Sequence, residues 1–205
     1  MAIPLIIAGQ ARAGTTALAH VLATNPDIEL YTSGSEAHLL ECDELEHDKR
    51  CAESAASLRA AIAASGAYLC AAKRPWCEED PEFFAAHFPD AIYILCRRNA
   101  ADLVRSWQDC ALTWTVQGLG PAELHAEFAR RTLLAAQFAR RMQAVGAIVI
   151  EWDYDAWIAA PRARLAELAL RLAVPDEWDT SELWTPGQRT APVGAPAQFR
   201  GGKSK

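Results

Sequence analysis

Short apolar runs alternating with amphipathic helical stretches predict an α/β protein: three layers, a mostly parallel sheet and helices on both faces. Two observations carry this. Ile3 to Ala8 is a nearly continuous apolar run, as a strand buried on both faces requires. It passes through Gly9 into a loop, then into helical spacing from Thr15 to Thr24 with Leu18, Val21 and Leu22 on one side. Strand, glycine-bearing loop and helix in that order make the first half of a βα unit. The 205 residues, 51% of them hydrophobic, suit one domain with a sizeable core.

The remaining elements follow in order. Asn25-Pro26 stops the first helix. Ile28 to Thr32 reads as a second short strand, followed by the turn Ser33-Gly34-Ser35 and a charged segment from Glu36 to Arg50. Glu53 to Ala64 is alanine-rich and helical, and Ala67 to Ala72 reads as a strand. Asp80-Pro81 opens a helix with proline at its favoured first position. Ala91 to Cys96 is the next strand, and Asn99 caps a helix running to about Leu112. Pro121 begins a long helix with Leu124, Phe128, Leu134, Phe138, Met142 and Val145 on its apolar side. Arg130, Arg131, Arg140 and Arg141 read as its solvated face. Ala147 to Ile150 is the last strand and Pro161 to Leu172 the last helix. The organisation expected is one α/β domain over residues 1–178 and an irregular tail over 179–205, able to fold over a ligand.

The formal net charge of -6 argues against a general nucleic-acid binder, but not against a local cationic pocket. None of the six cysteines forms a CxxC pair, and none shares zinc-ligand spacing with histidine. This usage suits a reducing cytoplasm. No apolar segment approaches the ~20 residues of a membrane helix, and no charged region precedes the first apolar run as in a signal peptide.

The loop Gln10-Ala11-Arg12-Ala13-Gly14-Thr15-Thr16 follows the first strand. A loop in that place points backbone N–H groups outward, and the helix dipole adds positive charge. Gly14 permits close approach, Thr15 and Thr16 add hydroxyls, and Arg12 adds a cation with fork geometry. These features suit a phosphate or sulfate and define a P-loop-like nucleotide-binding fold. The plainer alternative is a capped helix with two threonines. Gly9 and Gly14 have GxxxxG spacing, but Thr15 stands where an ATP-binding loop places lysine. No apolar strand ends in a second acidic ligand for magnesium; Arg97 and Arg98 follow Cys96 where an aspartate would be wanted.

Arg98 closes the later strand, and Ser106 lies eight positions on, just over two helical turns away. An anion site at each of two strand ends suggests a ligand with two separated phosphates. Surface charge is the alternative reading of Arg97 and Arg98.

Together the two stretches, RxGTT and RNxxDxxxS, resemble the sulfotransferases that use 3′-phosphoadenosine 5′-phosphosulfate (PAPS). The resemblance implies that Arg12, Ala13, Gly14, Thr15 and Thr16 hold the 5′-phosphosulfate end, and that Arg98 and Ser106 hold the 3′-phosphate. It implies a sulfotransferase of bacterial type, with PAPS as donor, 3′,5′-bisphosphoadenosine (PAP) as product and no metal required. Tyr154-Asp155-Ala156-Trp157 to Pro161 is similar to the family's YEDL segment, and Leu172-Ala173-Val174-Pro175 to its FLGLP helix ending. The similarity spans roughly residues 3 to 175.

Ser35-Glu36-Ala37-His38 resembles the family's KEPH stretch, which makes Glu36 the proposed base; serine and alanine replace its lysine and proline. His38 is the rival base. Lys73-Arg74-Pro75-Trp76 resembles the Lys-x-Pro or Lys-Thr-His segment near the acceptor: Lys73 matches, and Pro75 stands where one branch has a catalytic histidine. A solvated charge at a strand end is the alternative for Lys73. Arg200 and Gly201 partly resemble the loop that closes on the 3′-phosphate. Trp76, Trp107, Trp114 and Phe83 are candidates for an apolar acceptor pocket or for core.

The reading expected is sulfuryl transfer from PAPS to a hydroxyl of a small-molecule acceptor, with no nucleic-acid or membrane partner. A P-loop small-molecule kinase and a non-catalytic PAP-binding relative are the alternatives.

Overall fold

The computed structural model describes residues 1–10, 12–31, 47–75, 77–110 and 118–180. Five parallel strands form one sheet in the order β2-β3-β1-β4-β5. They are β1 (Ile3–Gly9), β2 (Ile28–Leu30), β3 (Leu69–Pro75), β4 (Ile92–Arg97) and β5 (Ile148–Asp153). The helices are α1 (Thr15–Leu22), α2 (His47–Ala64), α3 (Pro81–His87), α4 (Ala100–Cys110), α5 (Pro121–Ala144), α6 (Tyr154–Ala159) and α7 (Pro161–Leu172). A 3₁₀ turn, Cys77–Glu79, follows β3.

β1 is central and its side chains alternate between two cores. Leu5 and Ile7 pack with residues of α1, α4, α6 and α7, such as Leu18, Leu103, Trp157 and Leu168. Ile6 and Ala8 pack with α2, α3 and most of α5, through Leu58, Phe84 and Phe138. Each face of the sheet therefore carries a helical layer, which is the three-layer α/β arrangement the alternation implies. A continuous apolar strand is the consequence of that double burial.

The element limits differ from the pattern in instructive places. β3 runs past Ala72 to Pro75, and β5 past Ile150 to Asp153. Charged residues at these ends hide the strand from an apolar count, yet parallel pairing with β1 and β4 continues through them. α2 begins at His47, earlier than its alanine-rich stretch. α6 is not visible as a periodic segment because it is only six residues long. Asp153 starts it by accepting a hydrogen bond from the Ala156 N–H at 2.9 Å.

One expectation about the long helix is overturned. Arg131 is not on a solvated face: it is 1% exposed. Its guanidinium meets Glu127 at 2.6 Å, Glu79 at 3.0 Å and Glu78 at 3.6 Å. The 3₁₀ turn brings the two glutamates against α5 and draws the arginine inward. Arg130 and Arg141 do lie near the surface, paired with Glu127 and Glu82. Trp107 belongs to the core.

Candidate functional site

β1 and β4 are neighbours, with Gly9 opposite Cys96. The chain leaves β1 towards β2 and β3 on one side, and leaves β4 towards β5 on the other. Their carboxyl ends thus flank the point where the winding direction changes, the place where open α/β sheets form a crevice. Both stretches singled out in the sequence end there.

Gly9 has φ +127°, and a Cβ on it would lie 2.4 Å from the Cys96 carbonyl oxygen. Only glycine lets the chain turn out of β1 so close to β4. The Ala13 N–H then donates to the Gln10 carbonyl at 3.0 Å, closing a turn. Gly14, at φ +90°, is the N-cap of α1; among the described residues no side chain caps that helix, and no acidic residue stands in its first turn. Its first N–H groups are left for an external acceptor, supported by the helix dipole.

Arg12 is left-handed at φ +71°, a conformation that costs a non-glycine residue about 1–2 kcal/mol. Two contacts hold it. Its Nε donates to Ser106 Oγ at 3.2 Å, and its carbonyl accepts from Arg98 Nη1 at 3.2 Å. The structure therefore brings Arg12, Arg98 and Ser106 into one cluster across 94 residues of sequence between Arg12 and Ser106. The Arg98 guanidinium carbon lies 5.0 Å from the centre of the Tyr154 ring, in reach of a cation–π interaction. Among the described residues, its Nε is buried and has no hydrogen-bond partner. Arg97 instead pairs with Glu151 at 2.8 Å, so the two adjacent arginines have separate roles.

The far side of the loop carries a second cation. Lys73, 3% exposed, sits within β3 opposite Ile7 and donates from Nζ to Thr16 Oγ1 at 2.9 Å. It is not a solvated charge after a strand, because β3 continues beyond it. Thr15 is buried and Thr16 exposed. Lys73 thus places an ammonium group beside the first turn of α1, from the strand next to β1.

Behind the arginines, Asn99 caps α4 by accepting from the Asp102 N–H at 2.9 Å. Asp155 of α6 accepts from the Asn99 backbone N–H at 2.7 Å and from its side-chain amide at 3.0 Å. Asn99 holds the Asp102 carboxyl below its usual range, with Arg105 and Arg98 adding to the effect. Burial pushes the Tyr154 phenol up, Arg98 opposes this, and Asp155 adds to it.

β5 ends in an acidic residue, Asp153, beyond the apolar stretch that the sequence pattern marks as the strand. Its carboxylate is engaged in capping α6. Glu36, His38, Arg200, Gly201, Trp76 and Trp114 lie outside the described residues. Tyr154, against Gly14 and Arg98, and the buried Glu78–Arg131 pair are features the sequence pattern does not show. The Glu127–Arg131 spacing is the one local signal for that pair.

The chain belongs to the sulfotransferase family: the family's sequence profile matches residues 4–179. Solved structures agree on the fold. A sulfotransferase from Alicyclobacillus acidocaldarius is 18% identical, covering 91% of this chain and 88% of its own, with a TM-score of 0.56. The sulfotransferase domain of the curacin biosynthetic pathway is 17% identical, covering 86% and 76%, with a TM-score of 0.57. A Mycobacterium tuberculosis sulfotransferase is 14% identical, covering 85% and 68%, with a TM-score of 0.54. A comparison with curated protein sequences found no significant match.

Proposed function

We propose that this protein transfers a sulfuryl group from PAPS to a hydroxyl of a small-molecule acceptor. The observation that carries this reading is the convergence of Arg12, Arg98 and Ser106 where β1 and β4 end side by side. The donor set suits a doubly phosphorylated nucleotide. One end offers the uncapped α1 N-terminus, the Thr16 hydroxyl and the Lys73 ammonium. The other offers Arg98, whose buried Nε has no partner among the described residues, and Ser106. Arg12, in the loop before α1, is hydrogen-bonded to both members of the second set.

PAPS supplies an already activated sulfuryl group with a phosphate as its leaving group. The chain's task is then electrostatic. Lys73, Arg12 and the α1 N–H groups hold the negative charge that develops on that phosphate. Arg98 and Ser106 fix the distal phosphate and so the orientation of the donor. In this reading Glu36 takes the acceptor's proton, with His38 as the rival, and Arg200 and Gly201 close on the 3′-phosphate. The protein is read as bacterial and cytoplasmic, requiring no metal.

Calorimetric titration with PAP tests the reading. The wild type binds, and Arg98→Ala weakens binding about 50- to 100-fold, the loss of a charge-assisted fork. Binding of ATP with magnesium, and none of PAP, would overturn it in favour of a kinase. PAP binding without turnover on any hydroxyl acceptor would indicate a non-catalytic relative. Glu36→Gln spares PAP binding and abolishes turnover.

A further inference from the structure

Of the arginines at the carboxyl edge of the sheet, Arg97 is paired with Glu151, while Arg12, Arg74 and Arg98 form no ion pair among the described residues. The proposed donor accounts for Arg12 and Arg98. Arg74 is left over, although two acids follow it closely in the chain. Glu78 and Glu79 face Arg131 instead, and Glu79 also meets Arg130. The Arg74 side chain is half-buried, and among the described residues its buried Nε has no hydrogen-bond partner.

Strand alternation sets where this guanidinium goes. Leu69 and Ala71 of β3 pack into the core that holds α1, and Lys73 continues that face by reaching Thr16. Cys70 and Ala72 pack into the core that holds most of α5, and Arg74 continues that one. The Cys77 thiol, buried in the second core, agrees with this side: burial and Glu78 push it up, while the Gly9 N–H and Arg74 oppose them. Gln10 turns its amide to Thr132 of α5 at 3.3 Å rather than to Arg74. Adjacent residues of one strand thus send a lysine towards the donor loop and an arginine to the opposite face. In the ladder Arg74 stands opposite Ala8, one step before the Gly9–Pro75 pair at which the loop begins.

We infer that Arg74 binds an anionic group of the acceptor, so that the second substrate is a hydroxy acid. The identity of the donor rests on the PAPS reading; the anion site does not. A half-buried guanidinium without an acid carries a desolvation cost that a bound anion offsets. Its fork matches a carboxylate through two parallel hydrogen bonds. The anionic group does not react. The acceptor's hydroxyl oxygen forms the new S–O bond as the bond from sulfur to the leaving phosphate oxygen breaks, and the hydroxyl proton passes to the base. Arg74 orients that hydroxyl by holding the other end of the molecule.

The probes are matched pairs of small acceptors: 4-hydroxybenzoate, 4-hydroxyphenylacetate and 3-hydroxybutyrate, each with its neutral primary amide. Transfer from PAPS is measured for every compound, and binding of the acids to the free and the PAP-saturated protein is followed by calorimetry. The wild type should favour the acid of at least one pair about ten- to hundredfold in kcat/KM, the range of one charge-assisted contact. Arg74→Gln should bring that ratio close to one, chiefly through KM, and should change PAP affinity by less than about threefold. A preference for the amide in every pair would overturn the inference. So would equal losses on acid and amide in Arg74→Gln, the result expected if Arg74 touched the sulfuryl group itself. Inorganic phosphate bound through Arg74 as tightly as the acids would make this a free-anion site and overturn it as well. If PAP binds and no acid either binds or reacts, the inference fails and the donor reading stands. If PAP does not bind but an acid does, and Arg74→Gln abolishes that binding, the donor reading fails and the anion site stands. Should Arg74→Gln not fold, Arg74→Lys replaces it. The fork is then lost and the acid-to-amide ratio should fall about threefold or more; an unchanged ratio would overturn the inference.

Discussion

Lys73 Nζ donates to Thr16 Oγ1 at 2.9 Å, joining β3 to the first turn of α1. An ammonium group buried at 3% exposure adds little to stability, because its desolvation offsets what its contacts return. In the proposed reading, its position beside the α1 N-terminus serves an anion. Lys73→Met keeps the length and apolar stem of the side chain. PAP affinity should fall about tenfold or more with the lost charge, while the melting temperature should not fall. Calorimetry and thermal denaturation on the same sample decide the point. A collapse in melting temperature with unchanged PAP affinity would make the lysine a purely structural group.

The two glycines of the loop should differ in how they fail. At Gly9 an added Cβ meets backbone, the Cys96 carbonyl oxygen at 2.4 Å, and the strand pair cannot yield. At Gly14 the obstacle is the Tyr154 ring. Both carry positive φ, so each alanine variant also suffers backbone strain of about 1–2 kcal/mol. Gly9→Ala should therefore be the more destabilising, by about 3 kcal/mol or more. The clash part of the Gly14→Ala defect should be relieved in a Gly14→Ala/Tyr154→Leu double variant, which urea denaturation reads as a non-additive cycle. Strict additivity would mean that the ring moves aside at no cost.

The strand–loop–helix order and the two anion stretches were legible because each is local. A buried strand must be apolar, and RxGTT or RNxxDxxxS sits within one loop and one helix start. What brings the stretches together is not local. The meeting of Arg12 with Ser106 depends on β1 and β4 being adjacent, and adjacency is fixed by sheet order. Lys73 looked like the end of a strand because charge interrupts an apolar run, while the ladder continues to Pro75. Arg131 looked solvated because helix periodicity does not show that Glu78 and Glu79 stand opposite. Tyr154 needed the absent Cβ of Gly14 to explain it, a relation across 140 residues.

At the end of α7, Ala173 is left-handed, with φ 55° and ψ 41°, at the helix C-cap. That position favours glycine, and alanine carries the penalty of its Cβ. The gain from relieving it is about 1–2 kcal/mol, reduced by about 0.4–1 kcal/mol for the freer unfolded chain. Ala173→Gly should therefore stabilise the protein by about 0.5–1 kcal/mol and leave PAP affinity alone. A lower urea midpoint in the variant would show that Ala173 is unstrained.

The last prediction concerns Glu78, 1% exposed and held 3.6 Å from Arg131. Burial pushes its carboxyl up from 4.5 to about 7, against its backbone hydrogen bond and Arg131. The fold therefore favours the protonated acid. The stability this contributes is fully present below about pH 4.5, declines as pH rises and is lost above about pH 7. The shift corresponds to about 3 kcal/mol. Glu127, Glu82 and Asp102 are shifted downward and act in the opposite sense, losing stability as pH falls, so the wild-type curve alone does not isolate Glu78. Glu78→Gln does, because it removes one titration and leaves Arg131 paired with Glu127 and Glu79. The melting temperature of the variant minus that of wild type should rise between pH 4.5 and pH 8 by roughly 5–10 °C, given about 2–4 °C per kcal/mol for a chain of this size. Parallel curves across that window would mean that Glu78 is ionised in the folded protein throughout, held by Arg131 strongly enough to outweigh its burial.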